Sequence, residues 1–446
     1  MKHNPYHRRV LTISIFLFLS ACIQTVVPTA PTEASTVMPS QTAPPTQEST
    51  SPVEEPLVVA FARKGDIYLW DSQTRESRMI VQSGDVTTVM MSGDGQVIAF
   101  VRRALVEQPE LIEYVSLWAV DRNGENPREL VSADSLRQQL NPGPSDSAAF
   151  AQISWIPGTH GLVYSGSKHY LPGQGFTHSK DIYLVDADTV SNSVLAPDVM
   201  PDQSLTAWRF VISPDGQQIA LISGTALSFL NTDGSHLRSA VLTYPQVGAG
   251  DAVLLPNGVW TQDSRAFLFT GPLQSESIFI LNYTIWRVPV DGSPVQPLAA
   301  LNNSHSGSVT FSPDGKQLAF LQDPDWLIAP LAMQVGPLAI PGGVEELFYA
   351  NPHWSPAGVG FVIRDQDLFR LCPDATHATE VCGEPIPLQS GSGLISSIRW
   401  LDDERFLFTG LEPSTLSLGS LDGTIIPIAS WTEDDPLSGW SYSQPH

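Results

Sequence analysis

The stretch Val309–Phe320, VTFSPDGKQLAF, predicts a strand, a tight turn and a second strand. Pro313 presets the φ angle of the turn, Asp314 tolerates a bent backbone, and Gly315 adopts a positive φ without strain. Apolar residues of high β-propensity flank the turn on both sides. The same unit recurs at Phe210–Leu221, FVISPDGQQIAL, so the chain uses this hairpin more than once.

Weaker copies of the hairpin occur along the chain at a mean spacing of about 50 residues, which is typical of a four-stranded propeller blade. These copies are Met91–Val101, Trp155–Tyr164, Trp260–Phe269, Trp354–Ile363, Trp400–Phe408 and the incomplete Gly439–Ser443. Together with the two clear copies they predict eight blades of four antiparallel strands. Seven blades is the alternative, which holds if the last copy packs only against the rim.

Other strands of the repeat are apolar at consecutive positions, as in Asp66–Asp71 (DIYLWD) and Asp181–Asp186 (DIYLVD). Successive side chains of a strand point to opposite faces of the sheet, so both faces must be covered. Blades stacked face to face around an axis cover both faces and leave short, protected edges. A pair of β-sandwiches is the rival, but it gives no reason for one turn to repeat at this period. No segment beyond the N-terminal leader shows helical periodicity, and we predict an all-β fold, a β-propeller.

The first blade lacks a first strand, because no copy of the turn precedes Leu57–Phe61 and Asp66–Asp71. The incomplete copy Gly439–Ser443 supplies a strand without the rest of a blade. We therefore expect the N-terminal and C-terminal strands to pair, which closes the ring and hides two sheet edges.

The two clear turns, Ser213-Pro214-Asp215-Gly216 and Ser312-Pro313-Asp314-Gly315, resemble the WD-like repeat of TolB-type propellers. The resemblance extends from about Leu57 to His446. Related propellers precede the catalytic domain of enzymes similar to prolyl oligopeptidase. The resemblance implies the fold, and it raises a role as a structural component of the cell envelope, similar to TolB. It does not imply a ligand, because one fold hosts many functions.

The N-terminus has the features of a bacterial lipoprotein. Residues 1–21 combine a basic start with the short apolar run Val10–Ser20, which predicts a signal peptide. The tetrad Leu19-Ser20-Ala21-Cys22 resembles the lipobox, in which the cysteine is lipidated. We expect Cys22 to anchor the chain in a lipid bilayer. Residues 22–56 are rich in Pro, Thr and Ser and predict a disordered tether, and residues 57–446 form the propeller.

The formal net charge of −23 disfavours nucleic acid as a partner, because an acidic surface repels phosphate. We expect an exported monomer that is anchored to the cell membrane or the outer membrane. The sequence contains no nucleophile elbow, HExxH motif or P-loop, so we predict no catalysis, no metal and no cofactor.

Loop lengths indicate where a ligand binds. Turns between first and second strands are short, whereas longer segments such as Arg102–Tyr114, Gly166–Lys180 and Ser132–Ala151 all reach the same face of the ring. Long loops on a rigid scaffold commonly carry binding sites. We predict that this long-loop face binds the ligand at the central funnel of the ring. The alternative is that the insertions only cover the blades.

The richest insertion supplies the candidate binding residues, which are His169, Tyr170, Phe176 and His178. Aromatic rings and imidazoles stack on sugars or grip peptides, although the same loop could instead pack on itself. The neighbouring insertion holds Glu107, Glu110 and Glu113. Paired carboxylates hydrolyse glycans by acid–base catalysis, so these glutamates carry the enzyme alternative, and a solvated acidic loop is the simpler interpretation.

Two cysteines, Cys372 and Cys382, flank a turn within one unit. In an exported protein this arrangement predicts a disulfide. A zinc site that includes His377 is the rival, but it lacks a visible fourth ligand.

The leading hypothesis is a membrane-tethered, extracytoplasmic propeller that binds a protein, peptide or glycan without catalysis. The alternatives are a propeller enzyme acting on glycans as a hydrolase or lyase, and an envelope component similar to TolB.

Overall fold

The computed structural model describes residues 56–108, 110–143, 146–170, 175–199, 208–249, 252–253, 255–273, 280–305, 309–322, 325–331, 338–339, 353–358, 360–365, 368–372, 395–411, 414–432 and 437–443. The chain divides into two units, Met1–Val53 and Glu54–His446. All described residues lie in the second unit.

The first half of this unit forms four antiparallel sheets, here numbered in chain order. Sheet 1 contains β1 (Val58–Arg63), β2 (Asp66–Asp71) and β3 (Ser77–Val81), together with the last strand of the chain. Sheet 2 contains β4 (Val86–Met91), β5 (Val97–Gln108), β6 (Glu110–Asp121) and β7 (Arg128–Val131), and helix α1 (Ala133–Leu140) follows it. Sheet 3 contains β8 (Ser147–Trp155), β9 (Gly161–His169), β10 (Phe176–His178), β11 (Ile182–Asp186) and β12 (Asn192–Ala196). Sheet 4 contains β13 (Arg209–Ile212), β14 (Gln218–Ile222), β15 (Ala226–Asn231) and β16 (Arg238–Thr243).

The second half continues the pattern after a small hairpin of β17 (Gly248–Ala249) and β18 (Ala252–Val253). Sheet 5 contains β19 (Gly258–Trp260), β20 (Ala266–Pro272), β21 (Ile280–Pro289) and β22 (Gln296–His305). Sheet 6 contains β23 (Thr310–Phe311), β24 (Gln317–Gln322), β25 (Asp325–Pro330) and β26 (Leu338–Ala339). Sheet 7 contains β27 (His353–Trp354), β28 (Phe361–Asp365) and β29 (Leu368–Cys372). Sheet 8 contains β30 (Ile395–Trp400), β31 (Arg405–Leu411), β32 (Ser414–Ser420) and β33 (Ile425–Ser430), and β34 (Leu437–Tyr442) ends the series.

The last strand, β34, pairs with β1 and takes the first position in sheet 1. Trp440 lies opposite Phe61, and Tyr442 lies opposite Val59. The backbone N–H of Ser443 donates to the carbonyl of Val58 at 3.1 Å. Sheet 1 therefore joins the C-terminal strand of the unit to its three N-terminal strands.

A buried hydroxyl explains why the turn sequence recurs. The Oγ atom of Ser213 donates to Asp215 Oδ1 at 2.6 Å and accepts from the backbone N–H of Gln218 at 2.9 Å. The side chain is fully buried. The same pair of contacts is made by Ser92, Thr261 and Ser312 in their own turns. Since a buried polar group must find a partner, serine or threonine at this position ties the turn to the start of the second strand.

Successive sheets pack face to face through apolar clusters. In β1, Val58, Ala60 and Ala62 pack against sheet 2, whereas Val59 and Phe61 pack against sheet 8. Comparable clusters join sheets 2 and 3, 3 and 4, 4 and 5, and 5 and 6. Both faces of the strands are thus covered, as the consecutive apolar residues predicted, and the predicted all-β propeller fold is confirmed. That the eight sheets of the described residues form one closed ring of eight blades stays a prediction.

The insertions are more regular than the sequence indicated. The segment Arg102–Tyr114, predicted as a long connection, lies within the extended hairpin β5–β6, where Arg102 pairs with Ser116 and Ala104 with Tyr114. The segment Gly166–Lys180 prolongs β9 and adds β10, which gives sheet 3 a fifth strand. Parts of both hairpins are buried, as at Ile112 and Ser167, whereas Leu105 and Phe176 are exposed.

Helix α1 contradicts the expectation of no helix beyond the leader. Ser132 caps its N-terminus by accepting a hydrogen bond from the Ser135 N–H at 3.1 Å, and Asn141 ends it with a φ of 48°. Its apolar residues Leu136 and Leu140 are four positions apart and pack into the core between sheets 2 and 3. Eight residues are too few for a clear helical period in sequence. No helix within the described residues has the length and apolar character needed to cross a membrane.

Candidate ligand-binding site

The predicted binding residues lie on the hairpin of β9 and β10, at the edge of sheet 3. His169 pairs directly with Phe176 across the two strands, and their rings are 5.9 Å apart. Phe176 also meets the ring of His178 edge-on at 5.1 Å. With 47% of its surface exposed, Phe176 is a large apolar side chain left open to solvent. We call this group of residues the aromatic hairpin.

The other two candidates are less exposed than His169 and Phe176. The hydroxyl of Tyr170 lies 3.0 Å from Thr177 Oγ1, so a bond within the hairpin occupies it. The ring of His178 lies 6.4 Å from Trp208, which comes just before β13 of sheet 4. Burial lowers the pKa of His178, and the nearby His169 lowers it further, so its imidazole is neutral at neutral pH. Tyr170 and His178 are thus half-buried and have partners within the protein, whereas His169 and Phe176 are exposed.

Trp208 fixes the hairpin to sheet 4. Its Nε1–H donates to the carbonyl of Ser179 at 2.9 Å, and its ring lies 6.3 Å from Phe210 within the core between sheets 3 and 4. Sequence reasoning did not single out this residue, because it lies outside the insertion. The one indication in the sequence was that Trp208 directly precedes the first strand of a sheet.

A cavity of about 520 Å³ opens beside the aromatic hairpin, between sheets 2 and 3. Its walls come from the starts of β4 and β8 and from the projecting hairpin β5–β6. The lining residues include Thr87, Thr88, Val101, Phe150, Gln152 and His169. This volume lies within the range of small-ligand pockets. We call the aromatic hairpin and the cavity together the long-hairpin site, and that it binds a ligand stays a prediction.

The acidic residues of the enzyme alternative do not converge on this cavity among the described side chains. Glu113 lines the cavity but forms an ion pair with Arg103 on the opposite strand. The side chains of Glu107 and Glu110 lie outside the described residues. Glu113 therefore already has a cationic partner across the hairpin.

A second polar group, absent from the sequence predictions, joins sheets 2 and 3 at their short turns. His160 Nε2 lies 3.0 Å from Asp94 Oδ2, and His160 Nδ1 lies 2.9 Å from Asp188 Oδ2. Burial lowers the pKa of His160, but hydrogen bonds to Asp188 and Asp94 outweigh burial, so the pKa lies above its ordinary value. Arg128 adds an ion pair with Asp121 at 2.8 Å. These residues form a bridge of charges between two sheets, which the sequence could not show because its members are far apart in the chain.

The predicted covalent sites fall largely outside the described residues. Cys22 and Cys382 are both outside them, and Cys372 is described only as the last residue of β29. Lipidation and the disulfide therefore stay predictions. Within the described ranges, no group of three or more His, Cys, Asp or Glu residues is placed to hold a metal ion.

Comparison with known proteins gives a likeness of fold. No family model matches the chain, and no curated protein matches it. The β-propeller domain of the trilobed protease from Pyrococcus furiosus is 10% identical, over 77% of this chain and 95% of that one, with a TM-score of 0.43. The oligogalacturonate lyase from Vibrio parahaemolyticus is 12% identical, over 67% and 79%, with a TM-score of 0.43. TolB from Agrobacterium tumefaciens is 12% identical, over 84% and 89%, with a TM-score of 0.31. These three proteins include enzymes and a non-enzyme, so the function of this chain must be argued from its own site.

Proposed function

We propose that this chain is a membrane-tethered, extracytoplasmic β-propeller that binds a segment of a glycan or of a protein at the long-hairpin site, without catalysis. The observation that carries the proposal is an exposed pair of rings, His169 and Phe176, of which His169 lines a cavity of about 520 Å³. Rings of this kind stack on sugar faces or on apolar side chains.

The surroundings of the two rings favour binding over chemistry. His169 Nε2 lies 2.9 Å from Ser167 Oγ, and the ring of His178 meets that of Phe176 edge-on, so each exposed ring has a partner within the hairpin. A preorganised aromatic surface binds with a small loss of conformational entropy. The ion pair of Glu113 with Arg103 removes one of the carboxylates that a glycosidase would need.

The proposal of a membrane tether rests on the sequence alone. The lipobox-like tetrad at Cys22 and the Pro- and Thr-rich residues that follow support a lipid anchor and a flexible spacer. Such a spacer lets the propeller meet ligands away from the bilayer. A role as an envelope component similar to TolB is the second candidate, and capture of a stable protein partner from solubilised membranes would favour it.

The test is a glycan array and a peptide array, both probed with the full chain in detergent. The variant Phe176→Ala removes the exposed ring and is expected to weaken binding about tenfold, because aromatic stacking contributes roughly 1 kcal/mol or more. The matched control is Val194→Ala, an exposed apolar residue, 52% accessible, on β12 of the same sheet. It should leave binding unchanged.

Three outcomes contradict the proposal. The first is that neither array binds the chain. The second is that Val194→Ala weakens binding as much as Phe176→Ala does. The third is that the bound ligand is recovered cleaved, in which case the non-catalytic assignment fails and the enzyme alternative replaces it.

A further inference from the structure

Hydrogen bonds join the first strands of adjacent sheets, or the residues next to those strands. In each case a side chain of one sheet bonds an atom of its neighbour. The pairs are Ser441 Oγ with the Met91 N–H at 2.9 Å, Gln152 with Phe210, Trp260 with the Val211 carbonyl at 2.9 Å, Asn257 with the Val309 carbonyl at 2.9 Å, Trp354 with Thr310 Oγ1 at 3.1 Å, Trp400 with the His353 carbonyl at 2.6 Å, and Tyr442 with the Trp400 carbonyl at 2.9 Å. Among the described residues, no hydrogen bond joins β4 of sheet 2 to β8 of sheet 3.

The bond between sheets 3 and 4 shows how the edge of a first strand accepts an amide. The carboxamide of Gln152 donates to the carbonyl of Phe210 at 2.7 Å and accepts the N–H of Phe210 at 3.1 Å. Both main-chain groups of Phe210 are thus bonded by one amide, as they would be by a peptide group of an added strand.

The register of the sheets identifies the equivalent residues between sheets 2 and 3. In three sheets the N–H of the residue after the first strand donates to the carbonyl five positions later, at Ser92, Ile156 and Ser213. Four positions earlier stand Thr88 in sheet 2 and Gln152 in sheet 3, and a register shift comes immediately before each of them. Three positions earlier stand Ile153 in sheet 3 and Phe210 in sheet 4. Because Thr88 is shorter than glutamine, Ile153 lacks the amide that Phe210 has.

The cavity of about 520 Å³ lies at this junction, and the main chain of β8 faces it. Its wall includes the consecutive residues Ala149–Ile153, together with Thr88 of β4. Successive side chains point to opposite faces of a sheet, so a run of consecutive residues lines a cavity along the edge of a strand. Within the described ranges, no residue outside β9 bonds the main chain of this segment. The edge of β8 is therefore open to a ligand.

We propose that an extended peptide of a partner protein binds in this cavity as an added strand on the edge of β8, with one of its peptide groups bonded to the N–H and carbonyl of Ile153. The inference rests on the proposed function, because the cavity is part of the long-hairpin site, and it names the ligand as a peptide. The five residues of the edge extend over about 13 Å. A peptide matches such an edge because its donors and acceptors repeat along the strand, whereas a glycan offers isolated amides.

The walls of the cavity favour an apolar and basic peptide. Met90, Val101 and Phe150 provide apolar surface, and the charges of Arg103 and Glu113 neutralise each other. The chain as a whole carries a net charge of −23, which attracts a basic ligand and repels an acidic one.

The experiment is titration calorimetry on the full chain in detergent with the peptide acetyl-Val-Lys-Val-Thr-Val-amide. The peptide should bind and should slow amide hydrogen exchange at Ile153. Two further peptides carry one N-methyl group each, on the central valine or on the threonine that follows it. Only alternate N–H groups of a strand face one neighbour, so one of the two methyl groups should weaken binding at least about tenfold, and the other should weaken it less.

The decisive variant is Thr88→Gln, which places a carboxamide where sheet 3 has Gln152. It should bond Ile153, raise the urea midpoint of the chain and weaken peptide binding at least about tenfold. The matched control is Thr74→Gln, the same substitution at an exposed threonine between β2 and β3, and it should leave peptide binding unchanged.

Four results overturn the proposal: the peptide does not bind, the two methyl groups act equally, Thr88→Gln binds the peptide as the wild type does, or chitotetraose slows exchange at Ile153 and the peptide does not. Phe176→Ala separates this proposal from the proposed function. If Phe176→Ala weakens binding on the arrays and Thr88→Gln does not, the proposed function stands and the added strand is refuted. If neither array binds the chain, the proposed function itself fails.

Discussion

Two glycines in identical turns offer a direct measure of how closely the sheets approach each other. Gly234 and Gly292 each lie in an Asp-Gly-Ser turn between a third and a fourth strand, with φ angles of 84° and 89°. In both turns the aspartate carboxylate accepts the backbone N–H of the serine at 2.8 Å. A Cβ at Gly234 would lie 2.4 Å from the carbonyl oxygen of Leu195 in sheet 3, whereas a Cβ at Gly292 would meet nothing within 4 Å.

The expected loss of unfolding free energy on substitution by alanine therefore differs between Gly234 and Gly292. Alanine at positive φ costs about 1–2 kcal/mol at both positions, and the reduced freedom of the unfolded chain offsets about 0.4–1 kcal/mol of this at both. Gly234→Ala must also displace Leu195, which ladder pairs at Val194 and Ala196 hold on either side. Displacing packed atoms costs about 1–3 kcal/mol more. The free energy of unfolding should therefore fall further for Gly234→Ala than for Gly292→Ala, by about that difference.

Urea unfolding followed by tryptophan fluorescence measures the two free energies. Far-UV circular dichroism at zero urea checks that each variant folds. The packing argument is refuted if the two variants are destabilised equally, because they differ in the neighbouring sheet and not in the turn. Equal loss would mean that sheets 3 and 4 separate at no cost, or that they do not meet at Leu195.

Two other predictions concern charge and covalent anchoring. Because the folded pKa of His160 is raised above its ordinary value of 6.5, the charge bridge should stabilise fully below that pH and weaken as the pH rises through the folded pKa. The difference in urea midpoint between the wild type and His160→Gln should thus shrink from about pH 5.5 to about pH 8.5, and a difference that grows with pH contradicts this. Cys22→Ser should abolish labelling with radioactive palmitate and release the chain from the membrane fraction, since lipid chains supply the anchor. Retention of label by the serine variant refutes lipidation at this residue.

The repeating part of the fold was predictable because its determinants are local. Ser213 contacts Asp215 and Gln218, all within six residues, so the sequence motif and the structural motif coincide. Turn residues of this kind predict their own geometry. The consecutive apolar residues of the other strands predicted burial on both faces, and β1 shows it with its alternate residues in two different clusters.

The projecting hairpins were not predictable, because their strands are held by contacts that sequence alone does not reveal. Arg103 and Glu113 are ten positions apart and form a cross-strand ion pair once β5 and β6 are in register. In sequence they indicated a charged loop. The candidate residues His169 and Phe176 were taken from the sequence, and their binding role stays a prediction. The contact of Trp208 with this hairpin could not be predicted, because it depends on the packing of sheet 4 against sheet 3.

Two cavities, of about 520 Å³ and about 690 Å³, lie at the junction between sheets 2 and 3. Both are lined by Met90 and Ile153, so they lie at the two ends of one gap between first strands. Trp155, which lines the second cavity, has an indole Nε1 atom that is buried and has no hydrogen-bond partner among the described residues. The same junction carries helix α1, which packs into the shared core, and the charge bridge at His160.

Helix α1 contributes to the stability of the junction between sheets 2 and 3. Burial of Leu136 and Leu140 stabilises the junction, because α1 packs against β6 of sheet 2 and against β8 and β9 of sheet 3. An insertion such as α1 is therefore more than a covering for the blade. It adds buried apolar surface to the contact between sheets 2 and 3, next to strand β8, which also lines the cavity of about 520 Å³.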